Sequence, residues 1–434
     1  MASDSDYVTR IHRSPLEIDA EQWNALLTHS EAPTPFMRHE YLAAMHSSGS
    51  ATAQAGWDAH FVALYAMDEK ELLAACPLYI KTHSYGEYVF DWAWARAYQE
   101  HGLPYYPKAT VAVPFTPVPG SRFLYKNGFS PTYLLRETLS FCEQQGLSSL
   151  HALFACEADQ ALSKEQHLML RETVQFHWKN QAPTLCAEAS PLPSTETGYP
   201  DFDAYLATLA QDKRKKIRAE RRKVSEAGIT WRWSRGVDIS SADWDFFYTC
   251  YERTYLEHGN PPYLSRAFFH AMQTDMPENW LLFIAEHEGS AIACSLIALQ
   301  DTSSNRQITI NSIASSADSK RASSQKGLKV AYGRYWGAVA RVDSLHFEAC
   351  YYQPLQWCIE HGFDRFEGGA QGEHKMARGL LPVVTRSAHW LAHPQFADAV
   401  NRFLEREREG ISEYVDHLAQ RTPFRAAEAS DSKG

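Results

Sequence analysis

Apolar and polar residues along this chain follow two different periods, one typical of helices and one typical of strands. Apolar residues at helical spacing predict helices in these segments: 20–29, 36–45, 133–145, 244–258 and 266–273. Short, dense apolar runs predict strands in these segments: 59–65, 72–81, 150–154, 173–178, 280–286 and 291–299. Because helices and strands mix along the whole length, we predict an α/β (α+β) protein in which central mixed sheets are flanked by helices.

One order of elements occurs twice. A helix, a glycine, a strand and a closing strand with a His-Trp pair follow one another up to His177-Trp178, and again up to His389-Trp390. The match predicts an internal duplication, although ordinary α/β connectivity also produces this order. At 434 residues the chain is too long for one ordinary core. We therefore predict domains at 1–190 and 200–415, a linker rich in Pro and Ser at 183–200, and a flexible tail at 416–434.

Composition narrows the class of protein. With 44% hydrophobic and 13% aromatic residues the chain can bury a large core, and its net charge of -10 argues against a surface that coats DNA. Eight cysteines without a CxxC pair indicate reduced thiols rather than disulfides or structural zinc. The acidic start and the lack of an apolar run of about 18 residues predict a soluble, cytoplasmic protein without a transmembrane segment.

The segment 212–227 is strongly basic. Eight of the eleven residues from Lys213 to Lys223 are basic, and Ile217 and Val224 form a narrow apolar seam. A merely solvated helix normally carries both signs of charge, so we predict phosphate binding by Lys213, Arg214 and Lys216. The diphosphate of a cofactor, an RNA backbone and an anionic membrane surface are all candidate ligands.

The segment 84–95, with 105–108, is rich in aromatic and charged residues. It is either an aromatic helix packed on a sheet or a wall that faces a substrate. The second interpretation gives these candidate substrate-binding residues: Glu87, Asp91, Trp92, Tyr106 and Lys108.

Two polar clusters lie in the segment 345–375. The segment 345–353 is predicted to be a strand running into a helix, with His346 and Glu348 on one face about 7 Å apart. In the second cluster, glycines precede Glu373-His374-Lys375 and leave backbone amides to hold an anion or oxyanion. The catalytic candidates are Glu348, His346, Glu373 and His374. The cofactor-binding candidates are Gly369, Gly372, Lys375 and Arg378, and the substrate-binding candidates are Tyr352, Gln353 and Gln371.

The residues of segment 345–375 also allow other interpretations. A lone histidine is more often structural than catalytic, and Cys350 lies among apolar neighbours, where a buried and inert thiol is commoner than a nucleophile. Neither HExxH nor another dense ligand motif is present, so we predict no metal. The Ser-, Ala- and Lys-rich segment 312–329 is predicted to be an exposed, mobile insertion.

Several stretches resemble one family. They are His346-Phe-Glu-Ala-Cys-Tyr-Tyr-Gln, Gly369-Ala-Gln-Gly-Glu-His-Lys, Ser84-Tyr-Gly-Glu-Tyr-Val-Phe-Asp-Trp and Asp212-Lys-Arg-Lys-Lys-Ile-Arg. These motifs resemble the FemAB-like family, peptidoglycan biosynthesis or recognition proteins of the GNAT acyltransferase superfamily, and the resemblance spans roughly residues 7 to 410. It implies two tandem GNAT-like domains.

The resemblance implies an acyl- or aminoacyl-transferase that acts on an amine acceptor, either a small molecule or a peptide such as a cell-wall precursor. The donor would be acyl-CoA or aminoacyl-tRNA, and tRNA would bind the basic helix. The sequence departs from the GNAT pattern near 312–329, where Gln325-Lys-Gly-Leu-Lys lacks the spacing of a pyrophosphate loop. The alternative is a non-catalytic module that binds peptidoglycan or a peptide in the same cleft.

Overall fold

The computed structural model describes residues 7–181, 198–302, 327–370 and 372–425. Residues 183–197 of the predicted linker, 312–326 of the predicted insertion, Gln371 and residues 426–434 lie outside the described residues. The strands are β1 (Tyr7–His12), β2 (Asp58–Ala59), β3 (Phe61–Ala66), β4 (Leu72–Cys76), β5 (Leu78–Lys81), β6 (Lys108–Val111), β7 (Leu124–Tyr125), β8 (Ser149–Ala155), β9 (Met169–Lys179), β10 (Ile229–Arg235), β11 (Trp280–His287), β12 (Ser290–Asp301), β13 (Lys329–Ala338), β14 (Arg365–Ala370) and β15 (Leu381–Leu391).

The helices begin with α1 (Ala20–His29), α2 (His39–Ser47), α3 (Trp92–Glu100), α4 (Pro131–Gln144), α5 (Glu157–Glu165), α6 (Phe202–Thr208), α7 (Gln211–Glu226), α8 (Ser241–Glu257) and α9 (Arg266–Asp275). The next helix, α10, has three parts: Leu345–Phe347 is α-helical, Glu348–Tyr352 is π-helical and Gln353–Glu360 is α-helical again. The last helix is α11 (Pro394–Gln420). A 3₁₀ turn at Glu373–Arg378 precedes β15.

The chain forms two compact units that interleave along the sequence. Unit 1 contains residues 1–174, 263–276 and 384–416, and unit 2 contains residues 175–262, 277–383 and 417–434. The sequence-based division placed one boundary near 190–200, whereas the long strands β9 and β15 each begin in one unit and end in the other.

Unit 1 contains an antiparallel sheet in the order β1-β3-β4-β7. It also contains a mixed arrangement in which β8 pairs antiparallel with the end of β15 and parallel with β6. Apolar side chains of α4, such as Leu134 and Leu135, pack in one core with Leu64 of β3 and Leu150 of β8. Burial of each such leucine contributes about 1.5–3 kcal/mol.

Unit 2 contains β10, β11, β12 and β13 as an antiparallel series, and β13 then pairs parallel with β14. The parallel pairing covers only Val330–Tyr332 against Arg365–Glu367, and α10 is the crossover that a parallel pair requires. Val224 of α7 and Leu345 of α10 share one apolar core with Ile229 of β10. This core holds α7 and α10 against the same sheet.

The α/β fold class and the mixed sheets are confirmed. One order of elements, namely helix, strand, short helix or 3₁₀ turn, and long strand, occurs twice, as α4-β8-α5-β9 and as α10-β14-3₁₀-β15. A common origin of the two copies stays a prediction. The hairpin near residues 59–81 and the helix at 20–29 are also confirmed, and Asp19 caps that helix by accepting a hydrogen bond from Gln22 N at 2.9 Å.

Two local predictions need correction. The strand predicted at the start of 345–353 is wrong, because Leu345, Ala349 and Tyr352 recur at helical spacing and are all buried in α10. His346 and Glu348 therefore do not share a strand face. Residues 416–420 of the predicted flexible tail are helical. Of the two alternatives left open for 84–95, a helix is present only from Trp92, and residues 84–91 form a loop before it. No helix among the described residues is both long and apolar enough to cross a membrane.

Candidate functional site

Glu348 lies at the start of the π-helical turn of α10, a kind of turn that often occurs at functional sites. Ser295 of β12 donates a hydrogen bond to the Ala349 carbonyl at 2.6 Å, which gives a partner to a backbone oxygen of this turn. The turn directs the Glu348 side chain inward, and the residue is only 3% exposed.

One oxygen of the Glu348 carboxylate is held firmly and the other is not. Arg221 Nε of α7 donates to Oε1 at 3.1 Å, and Gln353 Nε2 donates to the same oxygen at 2.7 Å. Oε2 is buried and has no hydrogen-bond partner among the described residues. Burial raises the pKa of Glu348, and Arg221 partly opposes that shift. Such a carboxylate is suited to accept a proton or a hydrogen bond from a ligand.

A second buried pair lies beside Glu348. Arg378 Nη2 of the 3₁₀ turn donates to both oxygens of Glu220 at 3.2 and 3.1 Å, and Tyr352 OH also donates to Glu220. The Arg378 guanidinium lies 3.6 Å from the centroid of the Phe347 ring, a cation–π contact. The pair ties α7, α10 and the 3₁₀ turn together in unit 2.

The glycine segment differs from the predicted oxyanion site in one respect. Lys375 Nζ donates to the carbonyl oxygens of Gly368 and Gly369 at 2.6 and 3.3 Å, so this ammonium is engaged by the loop itself. Burial lowers the pKa of Lys375 to about 8. Gly369 and Gly372 have φ angles of 75° and 100°, which favour glycine at both positions. Cofactor binding by these residues stays a prediction.

The remaining catalytic candidates are less enclosed. His346 packs edge-on against Trp336 and Tyr351, and Tyr351 OH lies 3.2 Å from His374 Nε2. Glu373 is exposed and forms an ion pair with Arg421 at 3.6 Å. The structure thus brings the two predicted clusters together through Tyr351, Phe347 and their neighbours, while Glu373 stays outside the buried group.

The predicted basic helix is confirmed as α7, and its apolar seam of Ile217 and Val224 is buried. Lys213 pairs with Asp212 at 2.9 Å, and Lys216 is exposed. Arg214 Nη1 donates to the Ala207 carbonyl at 3.4 Å. With a rise of 1.5 Å per residue, Lys213 lies about 10 Å along the helix from Glu220.

The charged residues predicted near 84–108 gather in unit 1. Lys108 Nζ donates to Ser84 Oγ and Glu87 Oε2, each at 2.8 Å, and also to Asp91. Tyr106 OH lies 2.8 Å from Ser84 Oγ, whereas Trp92 is 40% exposed and packs on Tyr85. The structure therefore brings four of the five predicted residues together around one ammonium group.

The Cys350 thiol has the protonation state of an inert cysteine. Burial raises the pKa of the Cys350 thiol, which keeps it protonated. Across residues 7–181, 198–302, 327–370 and 372–425, no group of three or more His, Cys, Asp or Glu side chains has the arrangement of a metal site.

Sequence reasoning missed Glu220, Arg221 and Glu367. Glu220 follows Ile217 by three residues and precedes Val224 by four, so a lone acidic residue on the apolar seam of a basic helix was an available signal. Glu367 is buried on β14, and its burial raises its pKa to about 7. No sequence pattern distinguished it from an ordinary strand residue.

The fold and site define an α/β protein with a buried glutamate held between a basic helix and a π-helical turn. The chain belongs to the FemAB-like family, described as peptidoglycan biosynthesis/recognition, whose model matches residues 14–304 and 316–426. The search of curated proteins gave no significant match.

The solved structures that this chain is similar to are remote from it in sequence. L-PGS from Bacillus licheniformis is 11% identical, with a TM-score of 0.48 over 91% of this chain and 99% of that chain. FemX is 11% identical, with a TM-score of 0.45 over 88% of this chain and 98% of that one. A tandem GNAT protein from the clavulanic acid biosynthesis pathway is 9% identical, with a TM-score of 0.42 over 90% and 99%. Similarity this remote does not transfer a substrate.

Proposed function

We propose that this protein is a transferase that moves an acyl or aminoacyl group onto an amine, with Glu348 as the general base. Membership of a family associated with peptidoglycan biosynthesis makes a cell-wall precursor a suitable acceptor. The observation that carries the proposal is the Glu348 carboxylate, which is buried, anchored through Oε1 and without a partner at Oε2 among the described residues.

The reaction needs a proton acceptor beside the amine. As the amine nitrogen bonds to the donor carbonyl carbon, Glu348 Oε2 takes a proton from nitrogen. The tetrahedral intermediate then collapses, the bond to the leaving group breaks, and the proton passes to that group. The leaving group is the sulfur of coenzyme A or the ribose oxygen of a tRNA. Arg221 and Gln353 keep the base in place, and its raised pKa suits a group that must both accept and release a proton.

The donor carries phosphates in either case. The cationic face of α7, including Lys213, Arg214 and Lys216, is the surface that we assign to them. Arg221 lies on the same helix and contacts Glu348, so one element joins the proposed donor surface to the proposed base. We further propose Tyr352, Gln353 and Gln371 as acceptor-binding residues.

Replacing the base by its amide tests the proposal. With a verified donor and acceptor, Glu348→Gln is expected to lower kcat by about 10²–10⁴-fold, the usual contribution of general acid–base catalysis. Glu360→Gln is the matched control, because Glu360 is an exposed glutamate on the same helix. Turnover of Glu348→Gln within a factor of two of the native protein, with an unchanged melting temperature, would rule out Glu348 as the base.

A second candidate is a non-catalytic binding module, because the family description also covers recognition. It predicts that a muropeptide raises the melting temperature without any donor being consumed. It also predicts that Glu348→Gln, which keeps the shape of the side chain, leaves muropeptide affinity within about threefold. A transferase would instead show product formation that Glu348→Gln abolishes.

A further inference from the structure

Unit 1 contains a buried cluster of charged side chains. Glu348 is not part of this cluster, because it belongs to unit 2. Its members are the side chains of Lys81, Ser84, Glu87, Asp91 and Lys108. Glu87 and Asp91 are 3% and 2% exposed, and both lysines are fully buried. Burying this many charged groups is costly, so the cluster needs an explanation beyond packing.

Lys108 satisfies one oxygen of each carboxylate. It donates to Glu87 Oε2 at 2.8 Å and to Asp91 Oδ2, and Tyr105 OH also donates to Asp91 Oδ2 at 2.6 Å. The other two oxygens, Glu87 Oε1 and Asp91 Oδ1, are buried and have no hydrogen-bond partner within the described ranges of the chain. Two buried acceptor atoms of the cluster thus lack a donor, which is rare for buried polar atoms.

The Lys81 ammonium does not donate to either of these two oxygens. Its ammonium donates to the Tyr85 carbonyl at 3.0 Å and lies 3.4 Å from the centroid of the Trp57 ring. Burial lowers the pKa of Lys81 to about 7, which reduces the positive charge that it brings near neutral pH. The Lys81 ammonium therefore leaves Glu87 Oε1 and Asp91 Oδ1 without a donor, and a ligand that supplies N–H groups would satisfy both oxygens.

The loop that carries both carboxylates also exposes aromatic rings. Tyr85, Phe90 and Trp92 are 60%, 51% and 40% exposed, while Glu87 and Asp91 between them point inward. The Tyr85 and Trp92 rings lie 5.4 Å apart. Exposed rings on the same loop as the carboxylates supply an apolar surface for the body of a ligand whose polar end is a cation.

We infer that loop 84–92 of unit 1 is a binding site for a primary amine, whose ammonium group donates to Glu87 Oε1 and Asp91 Oδ1 while its body packs on Tyr85 and Trp92. Both an amino sugar and an alkyl amine have this chemistry. The inference does not depend on transfer chemistry in unit 2.

The test compares amines with neutral molecules of the same shape, using the full-length protein. D-Glucosamine is paired with D-glucose, and cadaverine with 1-pentanol, in isothermal titration calorimetry. Hydrogen exchange of the peptide covering 84–92 reports where each compound binds. We expect at least tenfold tighter binding of one amine than of its neutral partner, with slower exchange in 84–92. Preference for glucosamine identifies an amino-sugar site, and preference for cadaverine an alkyl-amine site.

Variants separate binding from folding. Glu87→Gln is expected to weaken amine binding at least tenfold, and Trp92→Ala, at an exposed position that does not endanger folding, about three- to tenfold. Glu71→Gln is the control, because Glu71 is an exposed carboxylate of unit 1 paired with Lys126. Equal binding of amine and neutral partner, unchanged exchange in 84–92, or native affinity in Trp92→Ala and Glu87→Gln would overturn the inference.

Discussion

Removing one member of the buried pair Glu220 and Arg378 is expected to destabilise unit 2. Their side chains are 11% and 2% exposed. When one partner is removed, water can therefore supply few of the hydrogen bonds that the remaining side chain has lost. Removing one member of such a pair typically costs 3–5 kcal/mol. Glu220→Gln keeps an oxygen for Arg378, and Arg378 keeps its contacts with Phe347 and the His374 carbonyl. We therefore expect about 3 kcal/mol for Glu220→Gln.

A double-mutant cycle with Arg378→Met isolates the interaction. Each single change is expected to cost about 3 kcal/mol, and the double variant is expected to cost at least about 1 kcal/mol less than the sum, because no charge is then left buried alone. Native-state hydrogen exchange of peptides from α7 reports the free energy of opening in unit 2, with peptides from α4 of unit 1 as the internal control. A single-variant cost below about 1 kcal/mol, or strict additivity, would refute this reasoning.

Two further predictions concern pH and phosphate binding. Burial raises the pKa of Glu367 from its ordinary 4.5 to about 7, so the folded state favours the protonated form and stability falls as pH rises from 4.5 to 7. Glu367→Gln should remove roughly 3 kcal/mol of that fall in urea unfolding measured at pH 4.5 and pH 8, and an unchanged pH profile would contradict the assignment. The double variant Lys213→Ala, Lys216→Ala should reduce the slope of log donor affinity against log salt concentration by roughly 1.5–2. The control is Arg222→Ala, which should change this slope less, because Arg222 is an exposed residue paired with Glu226 on the same helix. Native donor affinity in the double variant would exclude this part of α7 as the phosphate surface.

Local patterns predicted most of the elements well. Helix caps, charge and apolar spacing are signals carried by residues that are close in the sequence. These signals predicted the helix at 20–29, the basic helix α7 and the hairpin of β3 and β4. The family resemblance followed from contiguous motifs in the same way, and the family match over most of the chain confirms it. Features encoded in neighbouring residues can be predicted from the sequence.

The segment 345–353 was mispredicted for a physical reason. Four residues of alternating polarity suit a strand, whereas the helical recurrence of Leu345, Ala349 and Tyr352 needs a longer window to appear. Glu348 was still a site candidate, because its residue type and its neighbours suggested chemistry whatever the backbone conformation.

The tertiary structure alone decided which side chains meet. Glu348 is separated by 127 positions from Arg221, and Glu220 by 158 positions from Arg378, yet each pair is in hydrogen-bond contact. The pairing of β9 with β14, and that of β15 with β8, likewise joins strands that lie far apart in the chain. Burial, which shifts the pKa values of Glu348, Glu367 and Lys81, is a property of the packed chain and not of any one segment. The sequence by itself determined most of the elements, the family and the residue types available for chemistry, because these depend on local patterns. The pairing and protonation of the candidate residues came from folding, because both depend on contacts between residues far apart in the chain.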